Sequence, residues 1–156
     1  ISVFDCGIWN EIKIGNCNID SYYSYGTMKK FVSDIVNSVN KVQKMNNKNY
    51  KILIKRKNNI TGDQREKKYY KFLQLFSKKY KNFAILNHDA NIKNLIKISD
   101  LTITIPFSNP GFLSKIVYGV NGIYYDPCKK VTNNIKTTKI QLVNSERKLT
   151  NIIKKL

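Results

Sequence analysis

The fold of this protein is indicated first by residues 101–111, with the sequence LTITIPFSNPG. The Ile and Thr residues at 101–105 predict a buried β-strand that ends at Pro106. Asn109 followed by Pro110 is typical of a helix start, with Asn as the cap and Pro in the first turn. A strand that passes through a short turn into a helix is the repeating unit of α/β proteins.

The same unit recurs on both sides of this segment. Short apolar runs at residues 1–5, 50–54, 83–86 and 122–125 predict further strands, and amphipathic stretches alternate with them. The polar region 10–25, rich in Asn and Gly, is predicted to be a loop. This order predicts a Rossmann-like, three-layer α/β/α domain with a mainly parallel sheet of about five or six strands.

The predicted helices differ in how clearly their starts are marked. Residues 28–42 carry apolar side chains at steps of three and four, which is the clearest amphipathic helix in the chain. A second helix is predicted to begin at a capping box of Thr61 and Gln64. A short third helix is predicted to be capped by Asp89, and a last helix covers residues 149–156.

Length and composition indicate a single globular domain. The chain has 156 residues, of which 42% are hydrophobic and 24% charged, and this fits one domain over 1–156 with its own core. No apolar run is long enough to predict a transmembrane helix. The chain opens on a strand-like Ile-Ser-Val-Phe without Met, so we expect it to be the C-terminal part of a longer protein.

The charge leaves two interpretations open. The chain has 28 basic and 10 acidic residues, a net charge of +18, yet only Arg56, Arg65 and Arg147 are arginines. Abundant Lys, Asn, Ile and Tyr, all with AT-rich codons, suggest a coding bias in which lysine is the default surface residue. The other interpretation is a functional basic face for nucleic acid, an anionic membrane or anionic substrates.

Cysteine and histidine do not predict a metal site or a catalytic thiol. Cys6, Cys17 and Cys128 are far apart, and His88 is the single histidine. A structural zinc site needs four ligands at short spacings, which these residues do not supply. We expect reduced cysteines in a cytoplasmic protein, with neither a metal nor a cofactor.

The predicted architecture indicates where a ligand would bind. In open parallel sheets, ligands lie beyond the carboxyl ends of the strands, close to the point where the strand order reverses. The candidates are therefore the residues that follow the predicted strands: Asp5 and residues 55–57, 87–89, 106–109 and 125–127.

Two of these groups could bind a phosphate together. Ser108 and Asn109 stand at a predicted helix start, where free N–H groups and a partial positive charge favour anions. Lys55, Arg56 and Lys57 follow another strand and would supply cations. The alternative is that the first pair only caps a helix and that the basic triplet lies in a solvated loop. No dinucleotide-binding or P-loop motif accompanies them.

Two longer stretches resemble a known family. Residues 95–108, LIKISDLTITIPFS, resemble the signature of bacterial polysaccharide-biosynthesis proteins named for a Pro-Phe-Thr-Ser motif. Residues 119–127, GVNGIYYDP, are similar to its strand ending in Tyr-Asp-Pro, and residues 52–57 to its strand ending in Lys-Pro-Lys. This chain has Pro-Phe-Ser-Asn in the motif, with Arg56 in place of the proline.

The order of these segments is also similar to the C-terminal, donor-binding half of GT-B glycosyltransferases. That resemblance implies a nucleotide sugar as ligand, with a saccharide or lipid-linked acceptor held elsewhere. The abundant lysines are compatible with peripheral contact of the protein with the inner face of an anionic membrane. The resemblance assigns no catalytic base. The implied phosphate-binding residues are Lys55, Lys57, Ser108 and Asn109, with weaker donor contacts from Arg56, Tyr125 and Asp126.

The sequence therefore supports two classes of function. The first is the donor-binding domain of a glycosyltransferase for a bacterial surface polysaccharide, inactive without its acceptor-binding domain. The second is a basic nucleic-acid-binding or membrane-docking α/β module without catalysis. Nucleic acid would stack on the tyrosines, but no nucleic-acid-binding motif is present; the candidates are Tyr22, Tyr23, Tyr25, Tyr69 and Tyr70.

Overall fold

The computed structural model describes residues 1–8, 12–14, 17–19, 22–57, 64–106, 108–131 and 140–156. Its centre is a six-stranded sheet in the order β5-β4-β1-β6-β7-β8, and every neighbouring pair in it is parallel. The predicted α/β class and Rossmann-like parallel sheet are therefore confirmed. The strands of this sheet are β1 (Ser2–Phe4), β4 (Ile52–Lys55), β5 (Phe83–Leu86), β6 (Thr102–Thr104), β7 (Gly122–Tyr125) and β8 (Gln141–Val143).

The central strands carry the core. Val3 of β1 pairs with Ile54 on one side and Ile103 on the other, and all three side chains are buried. Strands that are covered on both faces read as continuous apolar runs, which is why these segments were recognisable in the sequence.

Helices cover both faces of the sheet. On one face α1, α2 and α5 pack over the larger apolar core. On the other, α3 and the segment after α4 pack over Phe4 and a smaller core. The helices are α1 (Tyr25–Asn46), α2 (Gln64–Lys79), α3 (Ile92–Lys97), α4 (Asn109–Phe112) and α5 (Glu146–Ile153), and α4 continues into a π-helical turn, Leu113–Val117.

The longest described helix is α1, which contains the predicted stretch 28–42. Ser24 caps it by accepting a hydrogen bond from the Thr27 N–H, and its other end closes at Asn47, which has a positive φ of 52°. Most of its apolar residues are buried against the core, while its lysines lie on the outer side. Within the described ranges no helix has both the length and the apolar character needed to span a bilayer.

The region predicted to be a loop contains two paired strands, so that prediction was wrong for residues 12–14 and 17–19. β2 (Ile12–Ile14) and β3 (Cys17–Ile19) pair antiparallel. Apolar residues alternate with Lys13 and Asn18 in these two strands, and Gly-Asn separates them. This is a hairpin pattern that the surrounding polar residues concealed.

Three helix starts differ from expectation or lie outside the described residues. The cap of α3 is Asn91, which accepts from the Asn94 N–H, and not Asp89. In α4 the cap position is Ser108, so Asn109 is the first helical residue and the predicted start was one residue late. The capping box at residues 61–64 falls on residues that are not described, except for Gln64 at the start of α2.

Candidate functional site

A cavity of about 320 Å³ opens where the strand order reverses. From β1 the chain moves outward through β4 to β5 and then returns past β1 to β6. The segments after β1 and β6 therefore diverge and leave a crevice at the carboxyl ends of these strands. The lining residues come from the ends of β1, β4 and β6 and from the starts of the helices: Phe4, Asp5, Cys6, Tyr23, Lys55, Arg56, Lys57, Ile92, Ile105, Ser108, Asn109 and Pro110.

The structure brings two predicted groups of site residues to this cavity. Lys55, Arg56 and Lys57 line one side, and Ser108 and Asn109 line another. About 50 positions separate the groups in the chain, but β4 and β6 are the two neighbours of β1. Their carboxyl ends therefore meet around the end of that central strand.

Lys55 is a buried cation in the cavity wall. The residue is only 7% exposed, and its Nζ donates to the main-chain oxygens of His88 at 2.6 Å and Arg56 at 3.2 Å. An ammonium group has three N–H donors, so one remains for a ligand. No carboxylate of the described residues forms an ion pair with it. Lys55 thus has hydrogen-bond partners but no countercharge in the described part of the chain.

The positive charge of Arg56 is paired with the carboxylate of Glu66. Its Nη2 lies 2.6 Å from Glu66 Oε2, and the two side chains are 6% and 7% exposed. Glu66 Oε1 also accepts from the Ile8 N–H at 3.0 Å, and the guanidinium lies 5.2 Å from the centre of the Tyr70 ring. Arg56 therefore joins the end of β4 to α2 and to the segment after β1, with its charge already paired.

Lys57 combines a fixed main chain with an exposed side chain. Its N–H donates to Asp5 Oδ1 at 2.8 Å, which holds the segments after β1 and β4 together. The side chain is exposed, so its ammonium can move toward a ligand in the cavity.

At the turn before α4, a ligand would meet the side chains of Ser108 and Asn109 more than the positive end of the helix dipole. Ser108 Oγ donates to the Ile105 oxygen at 2.9 Å and makes no cap hydrogen bond. Asn109 is exposed at the first position of α4, and Pro110 has no N–H to offer. Because α4 has only 4 residues before the π-helical turn, its dipole is weaker than that of a long helix.

Close packing fixes this turn on the sheet. A Cβ added at Gly111 would lie 2.5 Å from Thr104 Oγ1 and 2.6 Å from Tyr124 Cε1. The backbone of α4 therefore rests directly on β6 and β7, and Tyr124 donates its hydroxyl hydrogen to the Ser108 oxygen at 3.3 Å. Glycine at 111 positions Ser108 and Asn109 at the cavity.

Tyr125 and Asp126 are not among the cavity-lining residues. Tyr125 is buried in the larger core and donates to Asp34 Oδ2 of α1 at 2.6 Å. Asp126 is fully buried and accepts from the Tyr22 hydroxyl at 2.8 Å and from two main-chain N–H groups in the loop that follows β7. The hydrogen bonds of these two side chains therefore hold parts of the protein together.

Asp5 is a buried acid at the floor of the cavity. It is 5% exposed, and its Oδ2 has no hydrogen-bond partner in the described structure. Burial raises the pKa of Asp5 to about 7, while the hydrogen bond from the Lys57 N–H and the positive charge of Arg56 act in the opposite direction. A carboxyl of this kind is mostly protonated below neutral pH and adds little negative charge to the cavity there.

The raised pKa of Asp5 predicts a pH-dependent stability. In the unfolded chain the carboxyl titrates near 3.8, and in the folded protein near 7. Between these values the folded state keeps a proton that the unfolded state has lost, so stability falls as the pH rises to 7. We expect the titration of Asp5 to remove about 2.5 kcal/mol from the free energy of unfolding between pH 5 and pH 8. Urea unfolding at both pH values measures this loss, and Asp5→Asn should abolish it. An unchanged pH dependence in that variant would contradict the assignment.

The sequence did not single out Cys6 and Tyr23 as cavity residues. Cys6 donates its thiol hydrogen to the sulfur of Met28 at 3.7 Å, and burial raises the pKa of the thiol far above its ordinary range. Tyr23 donates to the Pro106 oxygen at 3.2 Å. Neither stands in a motif, so no local signal marked them. Among the described residues, no three His, Cys, Asp or Glu side chains are grouped as metal ligands.

Comparison with known families agrees with the resemblance found in the sequence. The family model described as "Polysaccharide biosynthesis PFTS motif protein" matches residues 1–153. The match spans all the segments that line the cavity, and it confirms the resemblance to proteins with the Pro-Phe-Thr-Ser motif. No curated protein matches the chain significantly.

Proposed function

Because this chain belongs to the polysaccharide biosynthesis PFTS motif family, we propose that its cavity binds the donor of a sugar transfer. The donor is a nucleotide-activated sugar, and its phosphates lie between the carboxyl ends of β1, β4 and β6. In this proposal the chain is the donor-binding part of a glycosyltransferase, as its resemblance to the GT-B C-terminal half implies.

The observation that carries the proposal is the unpaired cation of Lys55. Buried charges in proteins are normally paired, because removing an ion from water without a partner is costly. Lys55 is 7% exposed and lines the cavity without a carboxylate partner among the described residues. A phosphate group would supply the missing countercharge and accept the remaining N–H.

Other side chains around the cavity complement a phosphate. Lys57 supplies an exposed second cation, and the Asn109 amide can donate two N–H groups. The Ser108 hydroxyl now donates to Ile105, so it reaches a phosphate oxygen only by exchanging that hydrogen bond. Lysines serve as the cationic groups here, since the guanidinium of Arg56 is already paired with Glu66.

This arrangement also suits the chemistry of sugar transfer. When the bond between the sugar and the diphosphate breaks, negative charge increases on the departing diphosphate. Fixed cations placed at that position stabilise the transition state, because they need no rearrangement as the charge develops. Below neutral pH a protonated Asp5 would leave the positive charge of Lys55 and Lys57 largely uncancelled.

The size and walls of the cavity fit a small ligand. Its volume of about 320 Å³ lies at the lower end of the range for small-molecule sites, roughly 300–1,000 Å³. Phe4, Ile92 and Ile105 give it apolar walls next to the polar groups. Such a site accommodates the phosphates and the adjoining part of the donor.

The tyrosines considered for stacking nucleic acid make contacts within the protein. Tyr69 is buried in the core, and Tyr22 and Tyr23 donate hydrogen bonds to Asp126 and the Pro106 oxygen. Tyr25 and Tyr70 lie under cationic side chains. These contacts favour donor binding over a base-stacking surface.

Two lysines on either side of β4 provide a matched test. Lys57 follows the carboxyl end of the strand at the cavity, and Lys51 precedes its other end; both are exposed. We expect Lys57→Ala to weaken nucleoside diphosphate and nucleotide-sugar binding about tenfold, as for the loss of one charged hydrogen bond. Lys51→Ala should bind as the unchanged chain does. Isothermal titration calorimetry measures both affinities.

Two results would count against the proposal. One is equal weakening by both lysine variants, since that would show a general effect of the +18 charge and not a site. The other is the absence of binding, or of thermal stabilisation by millimolar nucleotide, across a panel of nucleoside diphosphates and nucleotide sugars.

A further inference from the structure

The two faces of the sheet are covered very unequally. One face carries α1 and α2, with 22 and 16 residues. The opposite face carries α3, with 6 residues, and α4 with its π-helical turn, with 4 and 5 residues. Because α3, α4 and the π-helical turn are short, they cover little of the sheet and leave some of their own apolar side chains exposed.

Several large apolar side chains are exposed on the thinly covered face. Ile98 is 70% exposed at the end of α3, and Val117 is 55% exposed at the end of the π-helical turn. Phe112 and Ile116, in the same segment as Val117, are 46% and 44% exposed. We call Ile98, Phe112, Ile116 and Val117 the apolar patch. Large exposed apolar groupings usually mark an interaction surface.

The members of the apolar patch belong to neighbouring elements. Leu95 and Ile96 of α3 share one small core with Leu113 and Tyr118 of the following segment. The two elements therefore lie side by side on the sheet. Because α3 starts with the cavity-lining Ile92 and ends before Ile98, this end of the patch points away from the cavity.

Exposed lysines surround the apolar patch. Lys93 and Lys97 are exposed on α3, and Lys115 is exposed between Phe112 and Ile116. Asp100 is the exposed acidic residue next to Ile98. The local charge is positive, as is the net charge of +18 for the whole chain. A surface that combines apolar side chains with flanking cations complements an anionic lipid bilayer, which offers phosphates above a hydrocarbon layer.

We propose that the apolar patch docks this protein on an anionic membrane surface. Ile98, Ile116 and Val117 enter the boundary between headgroups and acyl chains, and the flanking lysines contact lipid phosphates. The cavity lies at the carboxyl ends of β1, β4 and β6, away from the Ile98 end of the patch, and stays open to ligand in this orientation. The proposal does not depend on what the cavity binds.

The surface of α2 provides a contrast within the same chain. It presents a basic groove of about 540 Å³, lined in part by Arg65, Lys67, Lys68 and Lys71, but its exposed large apolar side chain is Leu75 alone, at 65%. A positively charged surface that lacks a group of apolar side chains attracts anions, but it inserts little into a lipid bilayer. α2 therefore serves as the control surface.

Tryptophan substitutions at the two surfaces test the docking geometry. Val117→Trp places a fluorescent side chain in the patch, and Leu75→Trp places one on α2; the single native tryptophan is common to both. Vesicles of phosphatidylglycerol and phosphatidylcholine should shift the emission of Val117→Trp to shorter wavelength and leave Leu75→Trp unchanged. No shift at Val117, or equal shifts at both positions, would overturn the proposal.

Co-sedimentation with the same vesicles gives a second, independent measurement. Ile98→Asp should weaken partitioning about tenfold or more, since it removes one inserted side chain and adds a repelled charge. Leu75→Asp, which adds the same charge on α2, should weaken it less. Circular dichroism melting confirms that both variants fold. Equal losses in the two variants would show that charge alone acts, and binding to an oligonucleotide but not to vesicles would indicate a nucleic-acid surface. Either result would overturn the proposal.

Discussion

We expect Lys55→Met to lose about 100-fold in affinity for nucleoside diphosphates while its stability changes by less than about 1 kcal/mol. Methionine keeps the length and apolar part of the side chain but removes the buried ammonium. The free protein loses two hydrogen bonds, to His88 and Arg56. It also no longer buries an unpaired charge, so the two effects on folding oppose each other. A bound phosphate, in contrast, loses the Lys55 ammonium as its buried partner and gains nothing in exchange, so the affinity falls.

Calorimetric titration and urea unfolding of the same preparation separate these two effects. Lys51→Met is the matched control, because Lys51 lies at the opposite end of β4 and is exposed. It should change neither quantity. If Lys55→Met bound nucleotide as well as the unchanged chain, Lys55 would have no role in phosphate binding. If it failed to fold, the buried ammonium would be a structural requirement.

We expect Glu66→Ala to lower the free energy of unfolding by about 3–5 kcal/mol. The substitution leaves the buried Arg56 guanidinium without its partner at 2.6 Å and removes the acceptor of the Ile8 N–H. An uncompensated buried charge is among the costliest changes that a single substitution can cause. Chemical unfolding at constant pH measures the loss.

The other ion pair of the described residues serves as the control for Glu66. Lys30 lies 2.7 Å from Asp34 but is 52% exposed, so Lys30→Ala should cost less than about 1 kcal/mol. The double variant Arg56→Met/Glu66→Leu should recover most of the lost stability, because it removes both charges together. A loss below 1 kcal/mol in Glu66→Ala would show that Arg56 finds another partner or solvent.

The central strands of the sheet were predictable because they are short, largely apolar and mostly buried. The strand-turn-helix segment at 101–111 and the runs at 1–5, 50–54, 83–86 and 122–125 all contain strands in the structure. The sixth strand, β8, was not located, because Gln141 and Leu142 are not buried and give it a weak apolar signal. The paired strands at 12–14 and 17–19 gave no clear signal, because neighbouring Asn and Gly residues obscured their alternation.

The meeting of Lys55 and Lys57 with Ser108 and Asn109 was predictable from topology alone. Parallel strands place their carboxyl ends at one edge, so residues far apart in the chain converge there. The partners of each side chain were not predictable, because they come from other elements. The charge of Arg56 is paired by Glu66 of α2, which lies 10 positions further along the chain.

The surroundings of Asp126 and Asp5 were likewise not predictable from the sequence. From the sequence Asp126 was a donor-binding candidate, but it accepts hydrogen bonds from Tyr22 and from the loop that follows it. Asp5 was one of several residues following strands, and its pKa of about 7 arises from burial at the end of the central strand. Burial of an individual side chain depends on packing that no local pattern encodes.

A crystal structure of the chain with a nucleoside diphosphate tests the central claim most directly, because it shows where the phosphates lie. We predict a phosphate oxygen about 2.7–3.2 Å from Lys55 Nζ, with the diphosphate between the ends of β1 and β6 and beside Asn109. A diphosphate bound in the basic groove along α2, with Lys55 still bonded only to His88 and Arg56, would contradict it.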